Sequence, residues 1–121
     1  MYYSYMNTSH GDCVFCAIVA NAAPARVVRR WPESVAIVPL NPVTDGHVIV
    51  LPHAHIEGAA FDPVLAGLVA TRAAHYAASN HGSYNLITSV GDAATQTIYH
   101  LHWHVVPRWP GDGLKLPWSP S

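Results

Sequence analysis

The chain has 121 residues with six basic and seven acidic side chains, a net charge of -1 and only 11% charged content, against 50% hydrophobic. That length suffices for one domain with a real core, and so little charge argues against a polynucleotide partner while leaving apolar surface that a homodimer would hide. No apolar run reaches the roughly 18 residues of a membrane span and no basic start precedes one, so neither a signal peptide nor a membrane partner is expected, and a cytoplasmic protein is.

Residues 1–12 show no periodicity and read as a flexible N-terminal extension, with 13–121 as a single domain. Cys13-Val14-Phe15-Cys16 holds the only two cysteines. This spacing suits a disulfide oxidoreductase, half of a zinc site, or neither. The sequel Ala17-Ile18-Val19-Ala20 reads as a short apolar helix leading into strand-like segments, not as the βαβ pattern a redox motif wants. Arg26–Arg30 and Ser34–Val38 are β-branched runs separated by Trp31-Pro32-Glu33, the signature of a hairpin, and the arginines at 26, 29 and 30 read as a solvated strand edge. Asn41–Gly46 is a turn and His47–Leu51 a third strand. Asp62-Pro63 opens a helix, with an N-cap and a proline at the first helical position. Val64, Leu65, Leu68, Val69, Ala73 and Tyr76 then share one face, and Asn80-His81-Gly82 ends the helix. Tyr84–Val90 is a fourth strand, and a small-residue loop, 91–97, leads to a fifth over Ile98–Pro107. The sum is an α+β fold: a five-stranded antiparallel sheet with one long helix and a short N-terminal one.

The fifth strand organises the rest. His100, His102 and His104 alternate with Leu101, Trp103 and Val105, so the three imidazoles share one face of a half-buried strand. The outer two start about 13 Å apart, too far to ligate one metal at about 2 Å. The three histidines therefore serve at least two neighbouring tasks, and a hydrolase built on a catalytic zinc held by all three is disfavoured.

His100-Leu101-His102-Trp103-His104-Val105-Val106, preceded by Gln96-Thr97 and followed by Pro107-Arg108, resembles the signature of the histidine triad (HIT) family. The resemblance runs from Cys13 to about Asp112 and points to the bacterial branch of nucleoside phosphoramidases and dinucleoside polyphosphate hydrolases. It implies the same α+β fold and a nucleotide-phosphate hydrolase or transferase working through a nucleotidyl-histidine intermediate on His102. His104 would bind the phosphate oxygens, and Thr97 and Gln96 would contribute a hydroxyl and backbone amides at the loop end. By the family pattern, a structural Zn2+ would be held by Cys13, Cys16, His55 and His100, where the residues alone leave His53 and His55 equivalent. Phe15, Ile37 and Val38 are apolar side chains that would sandwich a base, or else plain core.

Three departures fall on nucleotide recognition and none on the nucleophile. Pro39 stands where the family places an aspartate for the ribose hydroxyls, Ser89 where it has an asparagine, and Thr95 where Ala-Gly-Gln has its glycine. The chemistry is therefore expected to persist with relaxed or redirected nucleotide selectivity. The alternative is a zinc-stabilised nucleotide-binding module with little or no turnover.

Overall fold

In a computed structural model, residues 12–119 are described, so all but the last residue of the expected N-terminal extension lies outside them. The chain forms helix α1 (Val14–Val19), strands β1 (Arg26–Arg30), β2 (Ser34–Val38) and β3 (Val48–Pro52), helix α2 (Pro63–Asn80), and strands β4 (Tyr84–Ile87) and β5 (Trp103–Pro107). The strands form one antiparallel sheet in the order β1-β2-β3-β5-β4.

Strand register sorts side chains onto two faces. Ile37, Ile49, His104 and Ile87 lie in one cross-strand row, on the face against which α1 packs Phe15 together with Val35, Ile37, Ile49 and Leu51. Residues one step along, Ala36, Val48, Val50 and Val105, point the other way, into the core beneath α2. The histidines thus occupy the face that the long helix leaves uncovered.

Helix α2 starts as expected, with the Asp62 carboxylate accepting from Leu65 N–H at 3.0 Å and Pro63 in the first turn. Its buried face differs from the expected one. Ala66, Val69, Ala73 and Ala77 are buried, whereas Val64 is 85% exposed and Leu68 39% exposed. The row of small side chains lets the helix axis approach the sheet closely, and Leu65 and Tyr76 only flank the contact. The helix ends at the expected place without a left-handed glycine: His81 is extended at φ -138°, and its N–H reaches Ala77 C=O. Arg72 ties α2 to the β1–β2 turn through a two-point contact with the Glu33 carboxylate, at 2.7 and 2.9 Å.

Two strands are shorter than their sequence pattern. β5 begins at Trp103, not Ile98, because Leu101 N–H goes to Ile56 C=O at 2.7 Å instead of to a ladder partner. β4 stops at Ile87, and the Thr88 hydroxyl takes over by donating to His102 C=O at 2.8 Å. His100 and His102 therefore lie on an extended approach to the strand, held by side chains and a neighbouring loop.

Candidate active site and metal centre

A cavity of about 740 Å³ opens on the histidine face, and all nine residues expected to act on or touch substrate line it: Phe15, Ile37, Val38, Ser89, Thr95, Gln96, Thr97, His102 and His104. Phe15 and Ile37 are at once wall and core, at 5% and 3% exposure. The Phe15 ring meets His102 edge-on at 5.1 Å between centroids.

His102 is set for a single tautomer. Its Nδ1–H donates to the backbone C=O of His100 at 2.8 Å, leaving the Nε2 lone pair as the reactive end of the ring. Burial pushes its pKa below the ordinary histidine value, against the opposing effect of that hydrogen bond, so the ring is neutral at physiological pH.

His104 is oriented by a residue that the sequence pattern did not single out. Val43 N–H donates to His47 Nδ1 at 3.0 Å, which forces the proton of neutral His47 onto Nε2. That N–H meets His104 Nδ1 at 3.0 Å, so His104 in turn carries its proton on Nε2 and presents a donor. Burial holds His47 below its usual pKa, and burial with the neighbouring His102 and His47 lowers His104 to about 4. The signal for His47 was legible as an imidazole straight after the Asn41–Gly46 turn, at the head of a buried strand.

The Gln96 side chain is engaged within the protein. Only 6% exposed, its side-chain Nε2 donates to Glu57 C=O at 2.6 Å and Ile98 C=O at 3.2 Å, while Oε1 accepts from Gly91 N–H at 2.9 Å. The side-chain amide thereby fastens the loop between β4 and β5. Thr95 sits in that loop at φ +68°, in the left-handed region that a β-branched side chain rarely enters. Pro39 also lines the cavity, as does Thr97.

The other imidazole of the trio faces a separate cluster. The ligating atoms of Cys13, Cys16, His55 and His100 all lie within 4.8 Å of one another. Cys13 Sγ is 3.4 Å from His100 Nδ1, and Cys16 Sγ is 3.2 Å from His55 Nδ1 and 3.6 Å from His100 Nδ1. Tetrahedral zinc with bonds of about 2.0–2.3 Å places its ligands about 3.3–3.8 Å apart, so this donor set fits with small adjustments. His100 Nε2–H donates to Pro52 C=O at 2.8 Å, the outer contact that aims Nδ1 inward. His53 is exposed and takes no part. Burial, with the Cys13 thiol beside it, pushes the Cys16 thiol up to about 12.

Residues 20–111 match the family model of the HIT domain. The chain belongs to the HIT family. An uncharacterised HIT-like protein of Mycobacterium tuberculosis is 38% identical over 114 residues, covering 86% of this chain and 76% of the relative. The Arabidopsis thaliana adenylylsulfatase HINT3 is 31% identical over 121 residues, which cover 90% of this HIT chain but 61% of that protein. Among solved structures, a Zn-bound histidine triad protein of Mycobacterium smegmatis superposes with a TM-score of 0.73 at 34% identity, covering 93% of this chain and 86% of that one. Other solved structures with this fold are named a hypothetical histidine triad nucleotide-binding protein of Sulfolobus tokodaii and a HIT family hydrolase of Clostridium thermocellum.

Proposed function

We propose that this HIT protein hydrolyses, or transfers from, nucleotides substituted at the α-phosphate, through a nucleotidyl intermediate on His102. The observation that carries the reading is the bond from His102 Nδ1–H to His100 C=O, which fixes the tautomer and bares Nε2 beside the cavity. In the first step Nε2 attacks the α-phosphorus and the bond to the leaving group breaks; in the second, water displaces the imidazole and releases the nucleotide. His104, held by His47, donates its Nε2–H to a non-bridging oxygen as negative charge builds there. Thr97, on the cavity wall, would relay a proton through its hydroxyl.

Cys13, Cys16, His55 and His100 would hold Zn2+ in a site with no open position, giving it a structural role. Its effect on chemistry would be indirect, because the carbonyl that orients His102 belongs to His100. The adenylylsulfatase name of the Arabidopsis relative supports a nucleotide α-phosphate as the reacting centre.

Incubating the protein with adenosine 5′-phosphoramidate, adenylyl sulfate or a dinucleoside polyphosphate should release AMP, and acid-labile nucleotidylation of His102 should be trapped by mass spectrometry. His102→Asn should abolish both while preserving AMP binding. Turnover that survives in this variant would refute the mechanism.

A further inference from the structure

The nucleophile proposed above stands on main chain that the sheet does not hold. The β3–β5 ladder closes at the pair Val50–Trp103 and the β4–β5 ladder at Ile87–His104, so His102 is the first residue upstream of both. Yet the aim of its ring is only as fixed as this stretch, because the bond from Nδ1–H to His100 C=O closes a ring through the backbone of residues 100–102. A turn of either peptide within it would carry Nε2 away from the reacting atom.

Two contacts bracket the stretch. Leu101 N–H donates to Ile56 C=O at 2.7 Å, which holds its middle. The Thr88 hydroxyl donates to His102 C=O at 2.8 Å, which holds its far end. That distance is the usual one for a sound O–H···O bond, and a β-branched side chain gives up little χ1 freedom in making it. Thr88 follows directly on Ile87, the last residue of β4, so its own backbone starts from an ordered strand. It is not among the residues that line the cavity, so its hydroxyl serves the main chain of His102 and not the substrate. Of the two contacts, only this one is made by a side chain.

We propose that Thr88 is a positioning residue for attack by His102: its hydroxyl fixes the peptide that follows the nucleophile and, through it, the tautomer and direction of the imidazole. The inference rests on the function proposed above. The rival is that Leu101, 1% exposed in the core beneath α2, anchors the stretch unaided, so that the hydroxyl adds stability and nothing else.

Two measurements on the full chain separate these. Thr88→Val keeps the shape and removes the donor, whereas Thr88→Ser keeps the donor; Thr88→Ala serves in place of valine if the added methyl prevents folding. Nucleotidylation of His102 by adenosine 5′-phosphoramidate under single turnover should slow about tenfold in Thr88→Val, between the roughly fivefold of one net hydrogen bond and the roughly 100-fold of a nucleophile displaced by about 1 Å. AMP should bind wild type and variant with nearly equal affinity, and Thr88→Ser should recover most of the rate. An unchanged rate, or a loss of rate matched by an equal loss of AMP affinity, overturns the proposal. The second measurement needs no turnover: the ring 15N shifts of His102 should report a single tautomer protonated at Nδ1 in wild type and Thr88→Ser, and a mixture of tautomers in Thr88→Val. If wild type cleaves nothing while the valine variant shows the mixture, the proposed function fails and the hold of Thr88 on the ring stands. If the valine variant keeps the single tautomer, Leu101 suffices and the positioning role falls.

Discussion

Replacing Gln96 by glutamate changes one atom's identity and should act on folding before it acts on chemistry. The wild-type amide donates to the carbonyls of Glu57 and Ile98 and accepts from Gly91 N–H, at a site 6% exposed. A carboxylate keeps the last contact and turns an oxygen toward two carbonyl oxygens. Two net hydrogen bonds of about 1 kcal/mol each are lost, and burying the charge among acceptors adds to the cost, for a total of about 2–3 kcal/mol at pH 7. For a chain of this size that is a fall in Tm of about 10 °C. The buried carboxyl will hold its proton more tightly than the unfolded one. The deficit should therefore open as pH rises through the unfolded value of about 4.3 and narrow again below it, where the protonated acid can donate to one of the carbonyls. Thermal unfolding of wild type and Gln96→Glu between pH 4 and 8 provides the comparison. Equal Tm values at pH 7 with activity lost would mean that Gln96 serves substrate directly, and the loop-fastening role would be wrong.

Other perturbations probe the remaining links. Thr95→Gly relieves a left-handed β-branched residue, a strain of about 1–2 kcal/mol, against a glycine entropy cost of about 0.5–1 kcal/mol; a net gain of about 0.5–1 kcal/mol in urea unfolding is expected, and a loss would contradict it. Cys16→Ser should reduce bound zinc from one per chain to a trace and lower Tm, read by metal analysis and calorimetry together; full zinc in the variant would exclude this site. His47→Ala removes the donor to His104 Nδ1 and should cut kcat/KM about 100-fold with His102 still nucleotidylated, measured under single turnover. His104 stays neutral in the folded protein down to about 4, whereas its unfolded counterpart protonates near 6.5, so stability is intact above 6.5 and erodes as pH falls toward 4. This residue alone should cost about 2 kcal/mol at pH 5, and His104→Gln should flatten that part of the profile in urea titrations.

The alternation of His100, Leu101, His102, Trp103 and His104 was enough to assign faces, since His100 and Leu101 are buried to opposite sides even where no ladder forms. What period-two reading cannot sense is where hydrogen bonding stops, because Thr88 and Ile56 satisfy the backbone as well as a strand would. The buried face of α2 was misjudged because bulk was taken as the mark of the core, whereas alanines at 66, 73 and 77 win by permitting close approach. That Cys13 and Cys16 would meet His55 and His100 was legible only through the family pattern, since the two histidines come from distant parts of the chain. His47 was visible as an imidazole at the head of β3, but its bond to His104, like the loop-fastening role of Gln96, depends on partners at positions 104 and 57 that no local pattern encodes.

The division of the sheet into a packing side and a reacting side has a consequence for how such a protein can change. Along β5, Trp103 and Val105 face the helix while His104 faces the cavity, so neighbouring positions carry different physical demands. Substitutions on the helix side bear on packing, those on the cavity side bear on the site, and Phe15 and Ile37, which serve as both wall and core, couple the two. Pro39 and Thr95 line the cavity outside both core clusters, so the shape of the site can vary there without rebuilding the interior.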